Sequence, residues 1–237
     1  MAKRDPNTSD LSFVAGVDTG GTNPVQQETF RLVKKYLRGK KVLNVGCWTG
    51  GFEALLHGFP GEFYALEPSP QAIEIAKRHN NEIKYHQGSV FKIPFPDNEF
   101  DVVMFWLVLE HVPKGSEIEA LREMNRVLRP GGRLMVSTPF FHPLANIMDI
   151  SYPLKGHRHY TWERIREMLA ESGFEFEKGT VKGGFWYASS VLVFYTCKHI
   201  FHRPMPKRWR ARFDKKIITE FRKNKGWHDM YFFAKKP

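Results

Sequence analysis

Cysteine is scarce in this chain, and long uncharged runs are absent. Cys47 and Cys197 are the two cysteines among 237 residues, too few for a disulfide framework. No uncharged stretch exceeds fifteen residues, the length of the one between Lys182 and Lys198, whereas a membrane-spanning helix needs roughly 20. The opening MAKRDPNTSD lacks the apolar core of a secretion signal. These absences predict a cytoplasmic protein without a transmembrane segment.

The composition excludes wholesale disorder. The chain is 42% hydrophobic and 26% charged, which is ordinary for a globular protein. Its length suits one large domain better than two. Residues 1–24 are polar and end in the glycine- and proline-bearing GVDTGGTNP. We therefore expect a flexible arm over 1–24 and a folded domain over 25–237.

Acidic residues are scarce near the C-terminus. The net charge is +11, and residues 198–237 contain 13 Lys or Arg against 3 Asp or Glu. The remainder of the chain is almost neutral. If the positive charge serves an acidic partner, the last forty residues are where that partner would bind.

Short apolar runs alternate with helical patterns in the middle of the chain. The predicted strands are 41–46, 62–67, 83–88, 100–106, 132–139, 174–181 and 228–236. The predicted helices are 25–37, 51–57, 70–79, 116–128 and 161–172, the last with Thr161 as its N-cap. This alternation, followed by two closing strands, predicts an α/β fold with a doubly wound, mostly parallel seven-stranded sheet.

An aromatic and basic insertion over residues 183–227 precedes the last predicted strand. Its second part predicts a basic amphipathic helix, in which apolar residues recur every four positions at Trp209, Phe213, Ile217 and Phe221. Three interpretations stay open. The apolar face packs over the sheet and pocket, or residues 185–225 contact an anionic membrane surface, or the basic residues bind RNA. Nucleic acid is less favoured than lipid because no separate RNA-binding module is recognisable.

The stretch KVLNVGCWTGGFEALL, residues 41–56, places a glycine turn after the first strand. A dinucleotide site needs Gly-x-Gly-x-x-Gly, because the second glycine lets a pyrophosphate approach the backbone. Trp48 fills that middle position between Gly46 and Gly50, which disfavours nicotinamide and flavin dinucleotides. A phosphate-free ligand such as S-adenosylmethionine fits better. Glu67 follows at the spacing expected of an acid that accepts both ribose hydroxyls.

Four segments resemble class I S-adenosylmethionine-dependent methyltransferases, in the group with a Leu/Ile-Pro-Phe signature. They are VLNVGCWTGGF, FYALEPSPQAIEIAK, GSVFKIPFPDNEFDVVMFWLVLEHVP and EMNRVLRPGGRLMVSTP. The resemblance covers roughly residues 40–175 and implies a Rossmann-like methyltransferase fold that binds S-adenosylmethionine. It says little about the methyl acceptor.

The resemblance also implies a cofactor site. Its residues would be Asn44, Gly46, Cys47, Trp48, Gly50, Glu67, Pro68, Ser69, Ser89, Val90, Phe91, Trp106 and Leu107. The residues between Asn44 and Gly50 in this set would surround the methionine part of the cofactor. Trp48 is the exception and would point outward or form a wall of the acceptor pocket. Glu67 would bind the ribose, positions 68–69 and 89–91 would meet the adenine, and the last two would lie by the sulfonium.

Three positions depart from the pattern of this family. Asn44 stands where an acid is usual, Trp48 where the middle glycine is usual, and Ser89 where an aspartate is common. Asparagine and serine hydrogen-bond but carry no charge, so cofactor affinity is expected to be reduced. The departures motivate one alternative function, a cofactor-binding protein without turnover that acts as a regulatory or membrane-associated partner.

Several histidines lie where the acceptor binds in this fold. Methyl transfer is an in-line displacement that depends mainly on positioning, but a hydroxyl acceptor needs a base, and histidine suits that task near neutral pH. His157, His159 and His142 are the candidate bases, and Tyr160 and His111 are candidate substrate contacts. His157 and His159 without a clear third ligand do not indicate a metal site.

The function expected from the sequence is methylation of an oxygen on a small or lipid-linked acceptor, such as a sugar. RNA methylation is the alternative acceptor class. The protein would be cytoplasmic, or peripheral at the inner face of a membrane.

Overall fold

A computed structural model describes residues 22–148, 157–223 and 225–237. Residues 1–21, which make up most of the predicted arm, lie outside this description. Helix α1 begins behind a capping box, in which the Asn23 side chain accepts from the Gln26 backbone N–H and the Gln26 side chain accepts from the Asn23 N–H. Pro24 occupies the first helical position, where no backbone donor is required.

Seven strands and seven helices are present in the described part of the chain. The strands are β1 (Lys41–Val45), β2 (Glu62–Glu67), β3 (Lys84–Gln87), β4 (Phe100–Trp106), β5 (Leu128–Pro139), β6 (Glu175–Lys182) and β7 (Asp229–Lys235). The helices are α1 (Pro24–Leu37), α2 (Pro70–His79), α3 (Glu117–Val127), α4 (Pro143–Met148), α5 (Trp162–Glu171), α6 (Phe185–His199) and α7 (Lys207–Arg222). Two 3₁₀ turns, Glu53–Leu56 and Leu109–His111, follow β1 and β4.

The strands form one sheet in the order β3-β2-β1-β4-β5-β7-β6. The first five strands in this order are parallel to one another, and β7 is antiparallel to both β5 and β6. The strand order reverses beside β1, and open sheets of this kind bind ligands in the crevice at that point. The predicted doubly wound, mostly parallel seven-stranded sheet is confirmed.

Both faces of the central strands are buried, as parallel sheets require. Leu43 and Val45 of β1 face the layer that contains α3 and α5, whereas Val42 faces the layer that contains α1. Alternate residues of each strand therefore build the two halves of the core. The carboxyl ends of β1, β2 and β4 are left at one edge for the site.

The predicted helix over 51–57 is wrong. The structure has only the 3₁₀ turn Glu53–Leu56 there, because left-handed glycines at Gly50 and Gly58 confine the segment to a single turn. The other helical predictions are confirmed, with 70–79 matching α2. Thr161 caps α5 as expected, since its side chain accepts from the backbone N–H of Arg164.

Helices α6 and α7 fill the segment between β6 and β7. Helix α7 packs against α1 and α6, and α6 also contacts α4. Ile217 and Phe221 are buried against Tyr231 of β7, whereas Trp209 at the start of α7 is 44% exposed. The apolar face predicted for this helix is therefore covered from Phe213 onward and exposed at Trp209. No helix within the described residues is both long and apolar enough to cross a membrane.

Candidate active site

The glycine turn after β1 is built from left-handed backbone. Gly46 and Gly50 have φ of 78° and 76°, and Trp48 between them has φ of 51°. Left-handed backbone costs a residue with a side chain about 1–2 kcal/mol. The surrounding structure therefore imposes this conformation on Trp48, and a strained residue of this kind is typical of a functional loop.

Close packing explains the two glycines of the turn. A Cβ on Gly46 would lie 2.6 Å from Cγ2 of Val108, in the segment after β4. A Cβ on Gly50 would lie 2.7 Å from Cβ of Ala76 and 2.9 Å from its Cα, in helix α2. The turn is thus held between α2 and the segment that follows β4.

Glu67, at the end of β2, is joined to the glycine turn. Its carboxylate accepts a hydrogen bond from the Trp48 backbone N–H at 3.0 Å and one from the Ser69 N–H at 3.2 Å. Burial raises the pKa of this carboxyl, and the two N–H donors act in the opposite direction. The left-handed residue Trp48 therefore donates the hydrogen bond that attaches the glycine turn to Glu67.

The remaining residues predicted near the adenine lie along the next two loops. Pro68 is exposed, and the Ser69 hydroxyl caps α2 by accepting from the Ala72 N–H at 3.3 Å. Ser89 is exposed, and its hydroxyl accepts from the Phe91 N–H at 3.3 Å. Val90, like Phe91, packs partly against the core. The Ser89 hydroxyl therefore closes its own turn.

The buried thiol of Cys47 lies inside the same turn. Burial raises the pKa of Cys47 well above its ordinary value, and the nearby Glu53 and Glu67 raise it further. The side chain is therefore a neutral packing group and not a thiolate nucleophile.

Asn44 and Glu53 form a buried pair beneath the turn. The Asn44 Nδ2 donates to Glu53 Oε1 at 2.5 Å, and both residues are almost fully buried. Burial raises the pKa of Glu53 to about 7. Glu53 was not among the residues predicted for the site, because its nearness to Asn44 depends on the 3₁₀ turn that replaces the predicted helix.

The end of β4 closes the site opposite β1. The Trp106 ring lies 6.0 Å from the Phe52 ring and 6.2 Å from the Tyr231 ring, measured between centroids. Leu107 has φ of 51°, and its N–H donates to the Ser137 carbonyl at 2.9 Å. The position predicted to lie beside the sulfonium is thus another strained, non-glycine residue.

A cavity of about 530 Å³ lies beside the segment after β4. His157, His159 and Tyr160, three residues predicted for the acceptor side, are among those that line it. His111 contacts His157 with ring centroids 4.5 Å apart, and the Nδ1 of His159 is 2.6 Å from Asn146 Oδ1. The structure thus brings together four of the five predicted acceptor-side residues.

Tyr160 is held in a buried polar network. Its hydroxyl accepts from Arg158 Nε at 2.9 Å and is 3.3 Å from both the Leu109 carbonyl and Glu117 Oε1. Burial raises the pKa of Tyr160 to about 12. Arg158 also pairs with Glu117 at 3.1 Å. The hydroxyl therefore stays protonated at neutral pH and supports one wall of the cavity.

His142, the fifth predicted residue, is not among the residues that line this cavity. Its ring stacks on Trp227 with centroids 5.6 Å apart, and its Nδ1 accepts from the Leu144 N–H at 3.3 Å. Beside Trp227, His228 and Asp229 form a buried pair with 2.7 Å between Nδ1 and Oδ1. Sequence reasoning missed this pair because the segment reads as an ordinary strand.

Glu110 is a second buried acid that sequence reasoning missed. Glu110, in the 3₁₀ turn after β4, accepts a hydrogen bond from Thr138 Oγ1 near the end of β5 at 3.1 Å. Burial, and to a lesser degree the charge of Asp229, raise the pKa of Glu110 to about 8. Glu110 is therefore largely protonated at neutral pH.

The geometry defines a class of binding site. The strand order reverses beside β1, the glycine turn is held against a helix, and an acid stands at the end of β2. These three features are typical of sites that bind nucleosides at the carboxyl edge of a parallel sheet. The residues suit a phosphate-free cofactor, because Trp48 occupies the place where a pyrophosphate would need a glycine. Buried polar atoms around Asn44 could meet an amino-acid tail.

Comparison with known proteins gives the family. Residues 43–136 match the model of a methyltransferase domain. Over 165 residues the chain is 30% identical to a demethylmenaquinone methyltransferase of Staphylococcus epidermidis, covering 64% of this chain and 68% of that protein. It is 27% identical over 184 residues to a protein of the same name in Listeria monocytogenes, with coverage of 64% and 76%.

Solved structures share the fold. An S-adenosylmethionine-dependent methyltransferase of Thermotoga maritima superposes with a TM-score of 0.62 at 19% identity, over 90% of this chain and 89% of that one. One from Methanosarcina mazei gives 0.61 at 16% identity, over 86% and 96%. The chain belongs to the class I S-adenosylmethionine-dependent methyltransferases.

Proposed function

We propose that this enzyme methylates an oxygen of a lipid-linked acceptor at an anionic membrane surface. The observation that carries the proposal is the placement of exposed apolar side chains. All nine large apolar side chains that are exposed in the described residues lie between positions 141 and 209. They are Phe141, Leu144, Ile147, Phe185, Trp186, Leu192, Ile200, Phe201 and Trp209, and we call them the apolar surface.

Three helices that pack in series carry most of the apolar surface. Helix α4 contacts α6, and α6 contacts α7. Ile147 of α4 is 80% exposed, and Phe201, which follows α6, is 63% exposed. Exposed apolar residues concentrated in one region mark an interaction site more often than a neutral surface.

Basic residues accompany the apolar surface. Lys207, Arg208, Arg210 and Arg212 are exposed at the start of α7, around the exposed Trp209. Aromatic side chains enter the headgroup region of a bilayer, while lysine and arginine bind anionic lipids at about 1 kcal/mol per residue. This combination favours an anionic membrane over a purely apolar partner.

The acceptor side has groups that suit a hydroxyl acceptor. Bound S-adenosylmethionine supplies a methyl group on an excellent leaving group, so the protein must chiefly align the acceptor and accept its proton. His157 and His159 line the 530 Å³ cavity, and either of them would accept that proton. The relatives named demethylmenaquinone methyltransferases support a lipid-linked or quinone-like acceptor for this enzyme.

Transfer of radiolabelled methyl groups tests the proposed function. The protein is incubated with labelled S-adenosylmethionine and either membrane lipid, RNA or small-molecule fractions of a cell extract. We expect label in the lipid fraction. Label that enters only RNA would support the RNA alternative and overturn this proposal, and label only in water-soluble small molecules would remove its lipid part.

Reversing charge at the start of α7 should weaken membrane binding. We expect Lys207→Glu with Arg208→Glu to reduce co-sedimentation with vesicles of phosphatidylserine and phosphatidylcholine on the order of tenfold or more, since four units of charge change. Lys34→Glu with Lys40→Glu, an equal change on exposed residues of the α1 region, is the matched control. Equal vesicle binding by both double variants would contradict membrane docking through α7.

Removing both cavity histidines should slow methyl transfer. We expect His157→Ala with His159→Ala to lower kcat on the order of 100-fold, the lower end of the usual contribution of general-base catalysis. Affinity for S-adenosylmethionine should stay unchanged. His57→Ala, which alters an exposed histidine paired with Glu82, is the control. A double variant with unchanged kcat would exclude both histidines as the base.

A further inference from the structure

Within the described part of the chain, three buried polar atoms near the carboxyl ends of β1 and β4 have no hydrogen-bond partner. They are Asn44 Oδ1, Glu53 Oε2 and Trp106 Nε1. Buried polar groups in folded proteins are almost always paired, so each unpaired atom requires an explanation. Two of these atoms accept hydrogen bonds when Glu53 is ionised, and the indole N–H donates.

The three residues lie around one place beneath the glycine turn. Asn44 is hydrogen-bonded to Glu53. Asn44 is also in register with Met104 of the neighbouring strand β4, and Trp106, two residues further along, shares the face of Met104. The Phe52 ring, adjacent to Glu53 in sequence, contacts the Trp106 ring.

An α-amino acid group matches this set of donors and acceptors. Its ammonium donates hydrogen bonds and its carboxylate accepts them. We infer that Asn44, Glu53 and Trp106 hold the amino-acid end of S-adenosylmethionine, with Glu53 supplying the negative charge that Asn44 lacks. The Glu53 carboxylate and the side-chain Oδ1 of Asn44 would accept hydrogen bonds from the ammonium, while the indole N–H of Trp106 would donate one to the carboxylate.

Electrostatics support a cation beside Glu53. The ionisable neighbours coupled to Glu53 are Glu67, Cys47 and Tyr85, and each of them is neutral or negative. An ionised Glu53 is therefore repelled by Glu67 and lacks a positive partner in that group. A bound ammonium would favour the ionised carboxylate, since opposite charges in a buried site stabilise one another. An apolar residue would fill the same place more stably if packing were the only role.

Binding measurements with three ligands test this inference without relying on turnover or on the identity of the acceptor. S-adenosylmethionine and S-adenosylhomocysteine both carry the amino-acid end, whereas 5′-methylthioadenosine keeps the nucleoside but lacks that end. We expect Glu53→Gln to weaken calorimetric binding of the first two by roughly 10- to 100-fold, since hydrogen bonds to charged groups are the strong ones. Binding of methylthioadenosine should change less than about twofold.

Two further variants separate this role from loop packing. Trp106→Phe keeps an aromatic ring but removes the N–H, and should weaken the two amino-acid ligands selectively. Asn44→Asp with Glu53→Gln returns the charge to β1 and should recover at least about half of the lost binding free energy. If Glu53→Gln and Trp106→Phe weaken all three ligands equally, or none of them, these residues only support the loop and the inference is wrong.

Discussion

Replacing Glu67 by alanine is expected to weaken S-adenosylmethionine binding on the order of 100-fold or more. The carboxylate lies at the end of β2 and would accept the ribose hydroxyls, and charge-assisted hydrogen bonds contribute about 1.5–3 kcal/mol each. The variant also removes the acceptor of the Trp48 and Ser69 N–H groups. Isothermal calorimetry with S-adenosylmethionine and S-adenosylhomocysteine measures the loss.

Two control variants isolate the role of the Glu67 carboxylate. Glu67→Gln keeps an acceptor for the Trp48 N–H but removes the charge, and should retain intermediate affinity. Glu62→Ala changes an acid at the exposed, opposite end of the same strand and should leave binding unchanged. If Glu67→Ala bound the cofactor within threefold of the unmodified protein, the ribose would have to be held elsewhere.

Gly50→Ala is expected to lower the free energy of unfolding by about 3 kcal/mol. Part of the loss is the cost of left-handed backbone, about 1 kcal/mol for alanine, and overpacking contributes about 1–3 kcal/mol. The clash is with the Cα of Ala76 as well as its Cβ, so moving one side chain cannot relieve it. Thermal unfolding should show a Tm decrease of about 6–12 °C.

Gly58→Ala is the matched control for this strain. Gly58 has φ of 63°, but a Cβ there would meet nothing within 4 Å. This variant should lose only about 1 kcal/mol, the backbone cost alone. Ala76→Gly added to Gly50→Ala should restore part of the difference. Equal losses for the two glycine variants would show that packing against α2 does not constrain the turn.

The sheet and most helices could be predicted because their signals are local. The central parallel strands β1 and β4 are apolar runs because both of their faces are buried, and helix α2 shows its start through Ser69 as cap and Pro70 at the first position. The segment after the glycine turn has an apolar spacing that also suits a helix. Its flanking glycines, Gly50 and Gly58, take left-handed backbone and limit it to one 3₁₀ turn.

The site was less predictable than the fold because several of its residue pairs come into contact only when the loops take their folded course. Asn44 contacts Glu53 through the 3₁₀ turn, a geometry that a helix prediction at 51–57 conceals. Glu110 meets Thr138 across two strand ends. No spacing rule links residues 28 positions apart. His111 and His157 were predicted separately, and their ring contact follows only from the loop packing.

The closing pair of strands has an architectural consequence. Lys182 and Asp229 are opposite one another in the antiparallel ladder, so a short hairpin could join these strands. Backbone hydrogen bonds from Gly226 to Val181 and from Trp227 to Gly183 draw the two ends of the intervening segment together. The segment between β6 and β7 therefore leaves the sheet and returns to it at the same place. Shortening or exchanging the segment would leave the register between β6 and β7 intact, and with it the order of the strands that position the glycine turn and Glu67.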